Sequence, residues 1–258
     1  MKFKTKQLVD RLVKVLAEWP AVECISLNES AQPDTLDPYF ALILDIYYDG
    51  SIPNAEERLR LFGDDVVAFE SAGEGKDRFL IGDLPVRLEY KPIELIEERI
   101  NIAHTRLDSL WLIKDSGTYG FYRLARGELI FTRGNWIQAV REKIEELGDE
   151  FWQGMRMANE SKMEHFLSDL GAAAIQEDDF NYLISAAGFI KSACLTLFCI
   201  NQRFEPSHRA YYKQVMKLPI LPETFKAEFE SFLRQESGVG MERKFALAKI
   251  IARGIIAL

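Results

Sequence analysis

The feature that most constrains the fold of this chain is a change of pattern near Pro92. Before this residue, short apolar runs typical of strands alternate with helical segments. After it, apolar residues recur mainly at helical spacing, interrupted by a turn-rich segment from 114 to 132. This order predicts an α+β fold, with a mixed sheet and flanking helices first and a helical bundle after it.

The first part of the chain is expected to alternate between helices and strands. Apolar residues at helical spacing predict a helix over 5–19, which Pro20 ends, and a strand over 22–27 follows. The polar stretch 28–36 is predicted as a loop, and 37–48 holds the second strand. The other elements expected here are helices over 54–62 and 92–103 and strands over 66–70, 78–81 and 86–90.

The remainder is expected to be almost entirely helical, and this divides the chain into domains. We predict an α/β domain over 1–110, a hairpin-like connection over 111–135 and a helical bundle over 136–258. The expected bundle helices cover 136–147, 151–170, 180–201, 206–216, 222–235 and 242–258.

Charge and composition limit the partners and the location of this chain. A net charge of -8 and a pI near 5.1 argue against a broad basic surface for DNA or RNA, although a local basic cleft for one nucleotide or small molecule is compatible with them. No apolar run approaches bilayer length, so we expect no membrane partner and a cytoplasmic location. Cys24, Cys194 and Cys199 lack metal-ligand spacing and are expected to be reduced core residues.

Asp45 is the residue whose position most needs a physical reason. It interrupts the strand-like apolar run Leu42-Ile43-Leu44-Asp45-Ile46-Tyr47-Tyr48. A lone carboxylate inside an apolar strand is costly unless it is paired, protonated or bound to metal. Asp45 is therefore either held by structural hydrogen bonds or part of a functional site, and the sequence leaves both interpretations open.

Three passages, together with the order of the predicted elements, carry a resemblance to a known superfamily. They are Asp37-Pro38-Tyr39-Phe40-Ala41-Leu42-Ile43-Leu44, the residues from Leu110 to Arg123 and the residues from Leu197 to Pro206. The first lies over a phrase that carries paired catalytic acids, and the other two are similar to passages of bacterial relatives. The chain thus resembles the nucleotidyltransferase superfamily, which includes DNA polymerase beta and kanamycin nucleotidyltransferase. The resemblance implies a nucleotidyltransferase-like sheet followed by a helical bundle.

The acid pair on which that chemistry depends is missing here. In active members, two carboxylates at alternate strand positions hold magnesium ions, which bridge a nucleoside triphosphate during transfer. In the register given above, Ala41 and Ile43 take these two positions. An alternative register places Asp37 first and Tyr39 second, which leaves one acid.

The acids that remain are the candidate metal ligands, namely Asp37, Asp45 and Glu89. Asp45 lies on the expected ligand face, about two residues deeper, and Glu89 is the candidate third acid on a later strand. Glu89 can equally form an ion pair with Arg87 on the same strand face. If the protein is active, the resemblance implies Mg²⁺ and a nucleoside triphosphate as its cofactors.

Hydroxyl and basic side chains are the candidate contacts for a nucleotide or substrate. Ser26 and Ser30 lie where active members carry a Gly-Ser turn, although a loop serine is also explained by solvation alone. Lys114 begins a donor-rich turn, which either grips an anion or forms the hairpin that joins the domains. Arg203 either faces a cleft from the bundle or compensates a helix C-terminus.

Arg123 is the basic residue with the most specific expected role. It follows the aromatic residues near the change from mixed to helical structure. We expect its guanidinium to face the cleft and either to pair with Asp45 or Glu89 or to remain free for phosphate.

Three functions remain open from the sequence alone. The first is a nucleotidyltransferase-like protein whose metal site is degraded and which binds a nucleotide or a partner. The second is an active nucleotidyltransferase that moves a nucleoside monophosphate from a triphosphate to a small hydroxylated acceptor. The third is a non-enzymatic protein-interaction module, which a large exposed apolar patch on the bundle would favour.

Overall fold

The structure, a computed structural model, describes residues 3–27, 41–114, 118–234 and 240–258. The chain divides into two compact units, each built from two separate segments. The sheet unit combines Met1–Asn101 with Arg123–Glu146, and the helical unit combines Ile102–Tyr122 with Leu147–Leu258. The mixed sheet with flanking helices and the helical C-terminal region confirm the predicted α+β fold class.

One six-stranded sheet forms within the described residues. Its strands are β1 (Val22–Leu27), β2 (Leu42–Tyr48), β3 (Val66–Ser71), β4 (Lys76–Ile81), β5 (Leu84–Pro92) and β6 (Glu128–Thr132). Their spatial order is β3-β4-β5-β2-β1-β6. The central pair β2 and β5 is parallel, and the neighbouring pairs are antiparallel.

Helices flank the sheet and make up the helical unit. Those of the described residues are α1 (Phe3–Ala17), α2 (Ala55–Phe62), α3 (Ile93–Thr105), α4 (Trp111–Lys114), α5 (Tyr119–Arg126), α6 (Trp136–Glu145), α7 (Asp149–Gln176), α8 (Asp179–Ile200), α9 (Tyr211–Val215), α10 (Phe225–Leu233) and α11 (Met241–Ile256). Short 3₁₀ turns cover Leu107–Ser109 and His208–Ala210.

The two units do not follow the single division predicted from the sequence. Residues 102–110, predicted in the α/β domain, belong to the helical unit, whereas α6, predicted as the first bundle helix, belongs to the sheet unit. The spacing of Ile137, Val140 and Ile144 identifies the buried stripe of α6. The spacing does not reveal which elements pack on that stripe. For this reason the prediction assigned α6 to the bundle rather than to the sheet unit.

The predicted hairpin-like connection over 111–135 is also corrected, because this segment contains α5 and β6. Phe121 and Leu124 are buried three residues apart on α5, as a helical stripe requires. The β6 strand then pairs antiparallel with β1 and becomes an edge of the sheet. The sequence predicted a turn here because this segment contains glycines and because both elements are short.

One face of the sheet packs against an apolar core. Leu12 and Leu16 form a stripe on α1 and are fully buried. They belong to the same cluster as Leu44 and Leu88 from the central strands. Each buried leucine contributes about 1.5–3 kcal/mol of hydrophobic stabilisation. The alternate residues of β2 and β5 therefore point to the opposite face, where polar side chains lie.

A buried ion pair fastens α2 to the sheet. Arg58 Nε and Nη2 donate to the two carboxylate oxygens of Asp77 at 2.8 and 3.0 Å. Both side chains are almost fully buried, at 1% and 0% exposure. Tyr90 OH also donates to Asp77, at 2.7 Å. The other contacts of the guanidinium are oxygens of Pro53, Ser71 and Gly73. This pairing makes the buried charge tolerable.

The most extensive packing in the helical unit is between α7 and α8. A Cβ atom at Gly188 of α8 would lie 2.5 Å from the ring of Phe166 of α7. The absence of a side chain at Gly188 therefore allows the Phe166 ring to lie close to α8. Met163, Leu170 and Phe189 are among the residues that the two helices bury.

Helix α8 corrects the expectation that no segment approaches bilayer length. It is the helix of the described residues that is long and apolar enough to cross a membrane by length and composition. More than half of its apolar window, 56%, is buried inside the protein, as in a core helix. Its first two turns remain outside that core, since Phe180 is 72% exposed and Leu183 is 69% exposed.

We expect the three cysteine thiols to be unreactive in the folded protein. Burial raises the pKa of Cys24, Cys194 and Cys199 to about 12 from the ordinary 9.0, and the thiolate is the reactive form. Ellman's reagent should therefore react only after urea unfolds the protein, and then with all three thiols. Rapid reaction of one thiol before unfolding would contradict its burial.

The same burial predicts a loss of stability at alkaline pH. The unfolded chain releases its thiol protons near pH 9.0, whereas the folded chain holds them up to about pH 12. This contribution to stability is fully present below the unfolded pKa and is lost as the pH rises toward the folded pKa. Burial also raises the pKa of Tyr90 and Tyr211, which act in the same direction. The urea midpoint should thus fall steadily above about pH 9, and a flat profile would contradict the prediction.

Candidate functional site

The candidate site lies on the polar face of the central parallel strands. Asp45 on β2 lies directly opposite Glu89 on β5. Leu44 and Ile46, its neighbours along β2, belong to the apolar core, so Asp45 projects from the other face. The sheet register therefore brings two of the predicted acids together.

Arg123 pairs with both of these acids. Its Nε donates to Asp45 Oδ2 at 2.7 Å, and its Nη2 donates to Asp45 Oδ1. Its Nη1 donates to Glu89 Oε2, also at 2.7 Å. The Asp45 side chain is 1% exposed and that of Arg123 is 10% exposed. Of the alternatives left open for Arg123, the structure therefore has it paired with both acids.

Lys91 completes the charge network, and sequence reasoning missed it. Its Nζ lies 2.9 Å from Asp45 Oδ1 and 4.0 Å from Glu89 Oε2. It also lies 5.6 Å from the centre of the Tyr47 ring. A signal was present in the sequence, because Lys91 is two residues after Glu89 and so shares its strand face. Two carboxylates and two cations make the cluster neutral overall.

The predicted pair of Arg87 and Glu89 is a minor contact beside this network. Arg87 Nη1 lies 3.8 Å from Glu89 Oε1, and the Arg87 side chain is 35% exposed. The bond from Arg123 to Glu89 is shorter by more than an ångström and more buried. Arg123, rather than the strand neighbour, is therefore the main partner of Glu89.

Backbone contacts at the end of α5 hold Arg123 in place. The N–H of Gly127 donates to the Arg123 carbonyl at 2.8 Å. From α6, Arg141 donates to the carbonyls of Leu124 at 2.9 Å and Gly127 at 2.6 Å. These bonds satisfy carbonyl groups that a helix C-terminus leaves without intrahelical partners. These bonds therefore hold the backbone segment that carries the Arg123 side chain.

The environment shifts the pKa of two members of the network. Burial alone would raise the pKa of Glu89, but Arg123 and Lys91 outweigh it and hold the value below the ordinary one. Burial lowers the pKa of Lys91, and the nearby Asp45 opposes this shift. Glu89 is thus held as a carboxylate, so its contribution to stability is present above its ordinary pKa and is lost as the pH falls.

Two buried hydroxyl groups lie on the strands that carry the network. Burial raises the pKa of Tyr47 well above its ordinary value, and a side-chain hydrogen bond with Ser26 opposes this shift. Ser26 is the β1 partner of Asp45, and Tyr47 lies two residues after Asp45 on β2. Their exposures are 2% and 0%. The strand predicted over 22–27 does contain Ser26, but the alternative that Ser26 is explained by solvation is wrong, because its side chain is buried.

The acids do not fit a magnesium site as they stand. A magnesium site uses carboxylate oxygens that face the ion, with water completing the coordination. Here Arg123 occupies both oxygens of Asp45 and one of Glu89, and Lys91 adds a second cation. A dication at this position would meet two positive groups at close range. Ala41 and Ile43, which the first register from the sequence aligns with the acid pair, offer no oxygen ligand from their side chains.

Of the other predicted site residues, only Arg203 has a side chain among the described residues. Asp37 and Ser30 lie outside the described residues, as does the side chain of Lys114. Arg203 belongs to the helical unit, where its side chain is exposed and its N–H donates to the carbonyl of Phe198 at 2.8 Å. The structure therefore brings Ser26, Asp45 and Glu89 together on neighbouring strands, with Arg123 of α5 bonded to both acids.

Gly127→Ala should lower stability and disturb the network. A Cβ atom there would lie 2.7 Å from the Arg123 carbonyl and 3.0 Å from Ser26 Oγ. Since backbone must shift to relieve the first contact, we expect a loss of about 1–3 kcal/mol. Urea unfolding would measure it. Gly120→Ala is the matched control, because nothing lies within 4 Å of a Cβ there. An equal effect of both changes would contradict the prediction.

The likeness to known proteins lies in the fold. The chain is similar to the crystal structure of a nucleotidyltransferase-like protein from Exiguobacterium sibiricum 255-15, with a TM-score of 0.50 and 14% sequence identity. The match covers 98% of this chain and 74% of that one. No protein-family model matches the chain, and no curated protein sequence matches it. At this identity the likeness establishes the fold alone, and this chain has a nucleotidyltransferase-like fold.

Proposed function

We propose that this chain is a nucleotidyltransferase-like protein whose acid face has become a structural ion-pair network, and that it acts by binding rather than by metal-dependent nucleotidyl transfer. The observation that carries the proposal is the pairing of Arg123 with both Asp45 and Glu89. In-line transfer in this superfamily uses carboxylates that face metal ions. Here the carboxylates on this face of the sheet are paired with the side chains of Arg123 and Lys91.

Burial supports this interpretation of the network. A charge that is withdrawn from water needs a partner of opposite sign and hydrogen bonds to its remaining atoms. Asp45 is buried and both of its oxygens are bonded, which accounts for an acid in an apolar strand without any ligand. The carboxylate is a structural component of the sheet unit.

Binding of Mn²⁺, followed by the loss of the free-ion signal in electron paramagnetic resonance, tests the proposal directly. We expect the wild-type protein to cause no loss of the free Mn²⁺ signal relative to the same solution without protein, whether ATP is absent from both samples or present in both, because both acids are engaged. A wild-type site of micromolar affinity that Asp45→Asn abolishes would overturn the proposal. It would favour the active enzyme with Asp37, Asp45 and Glu89 as its ligands.

The variant Arg123→Met/Lys91→Met is the counterpart of this test. It removes both cations that contact Asp45 in these ion pairs and leaves Glu89 with the half-exposed Arg87. If the variant folds, as circular dichroism would show, it should bind Mn²⁺ more tightly than the wild type. Weaker binding by the variant than by the wild type would mean that the cations do not block the acids.

A second candidate is a protein-interaction module, and the exposed apolar face at the start of α8 favours it. Phe180, Leu183 and Ile184 are 72%, 69% and 50% exposed, and Ile175 at the end of α7 is 81% exposed. Contiguous apolar surface of this kind marks interaction sites more often than isolated apolar residues do. Self-association through this face is the form of the hypothesis that the protein alone can test.

Sedimentation velocity over a range of protein concentrations would test that candidate. Leu183→Glu should abolish a concentration-dependent dimer, whereas Leu95→Glu, at an exposed leucine of the sheet unit, should leave it intact. A wild-type protein that stays monomeric at the highest concentration would reject self-association.

A further inference from the structure

The first half of α8 has a continuous apolar stripe on its exposed side. The residues of this stripe, spaced three and four positions apart, are Phe180, Leu183, Ile184 and Ala187. This spacing places them on one face of the helix. Phe189, on the opposite face, is fully buried in the core of the helical unit. The stripe is therefore an apolar surface that the described residues leave largely uncovered.

The stripe has charges of opposite sign at its two ends. The exposed Asp179 lies beside it in the first turn of α8, and the exposed Lys191 continues it four residues after Ala187. Neither Asp179 nor Lys191 has an ion-pair partner within the part of the chain that the structure describes. The two residues are about 18 Å apart along the helix axis, since each residue adds about 1.5 Å.

These charges make the stripe complementary to a second copy of itself. When two such stripes pack antiparallel about a two-fold axis, Lys191 of each copy lies beside Asp179 of the other, and both pairings form together. Parallel packing would instead bring the two acidic ends together. Ala187 lies near the middle of the stripe, where its small side chain allows two helices to approach closely.

We propose that this chain forms a two-fold homodimer in which the α8 stripes pack antiparallel, with ion pairs between Lys191 and Asp179 at both ends. This arrangement rests on the self-association form of the second candidate function, and it adds the orientation of the two copies. A lipid surface is the other occupant that an exposed apolar stripe fits. The acids at the α7–α8 turn, Glu177, Asp178 and Asp179, disfavour an anionic membrane.

Sedimentation velocity of the whole chain at increasing concentration tests the proposal. We expect a monomer–dimer equilibrium with a Kd below about 100 µM. Lys191→Glu should weaken the dimer at least about tenfold, because two repulsive pairs replace two attractive ones, and Asp179→Lys should do the same. Lys191→Glu/Asp179→Lys exchanges the charges and should restore the Kd to within about threefold of the wild type. Both residues are exposed, so the variants should fold, which circular dichroism would check.

Lys226→Glu is the matched control, because it makes the same charge change at an exposed residue of α10, outside the stripe. It should leave the Kd unchanged. If Leu183→Glu abolished the dimer but the double charge exchange did not restore it, the antiparallel arrangement would be overturned and self-association would stand. A wild-type protein that stays monomeric would overturn both, and sedimentation of that monomer with phosphatidylcholine vesicles would assign the stripe to a lipid surface. The Mn²⁺ test of the sheet unit decides the first proposed function independently of these outcomes.

Discussion

Arg123→Met is expected to lower the free energy of unfolding by about 3–5 kcal/mol, the usual cost of removing one partner from a buried ion pair. Asp45 would keep Lys91 but lose both guanidinium bonds while remaining almost fully buried. With Arg123 gone, burial would have less opposition at Glu89, so the pKa of Glu89 should rise. Urea unfolding followed by circular dichroism measures the first effect, and NMR titration of the Glu89 carboxyl measures the second.

Arg126→Met is the control on the same helix, since Arg126 is exposed and outside the network. It should change stability by no more than about 0.5 kcal/mol. Asp45→Asn/Arg123→Met should recover part of the loss, because it removes the unpaired charge along with its partner. A loss below about 1 kcal/mol in Arg123→Met would mean that the network is a surface pairing of little energetic value.

Arg58→Met should have an effect of similar size, about 3–5 kcal/mol, on the opposite face of the sheet, where Asp77 of β4 lies beside Leu88 of β5. The change leaves Asp77 fully buried with Tyr90 OH as its remaining side-chain partner. It also removes the bonds from the guanidinium to Pro53 and Gly73, which connect α2 to the turn between β3 and β4. The unfolding midpoint in urea would report the loss.

Arg60→Met is the matched control for this second cluster. Arg60 lies on the same helix, is exposed, and makes one long bond of 3.4 Å to the carbonyl of Glu56. Its replacement should be nearly neutral. If Arg58→Met were as mild as Arg60→Met, the buried pair would be dispensable and hydrophobic packing alone would hold α2.

Local periodicity was sufficient to predict most elements of the fold. It identified β1 over 22–27 from six consecutive residues, and the structure has the same bounds. It missed β6, whose five residues are partly exposed and follow a glycine. The pairing of β6 with β1 joins residues about a hundred positions apart, such as Leu27 and Glu128, and no local pattern encodes such a partner.

The sequence predicted which residues form the site better than it predicted what the site does. Strand parity placed Asp45 on the face expected to carry ligands, and the resemblance indicated Glu89 as the third acid. Arg123 was expected to pair with one of them because it follows the aromatic residues at the change from mixed to helical structure. Whether the acids would meet a metal or a guanidinium depends on where α5 comes to lie, which is a tertiary contact between Arg123 and Asp45, 78 residues apart in sequence. Lys91 was missed because the predicted strand ended at Tyr90, one residue before it, whereas β5 extends to Pro92.

The interleaving of the two units affects how the protein can be made and divided. During synthesis, β1 emerges long before β6, so one edge of the sheet stays uncovered until the chain has passed through Ile102–Tyr122 and returned. A fragment that ends at residue 110 would lack both β6 and Arg123, leaving an open strand edge and Asp45 with Lys91 alone. The shortest N-terminal piece that contains every part of the sheet unit extends to Glu146, and it necessarily includes a segment that belongs to the other unit.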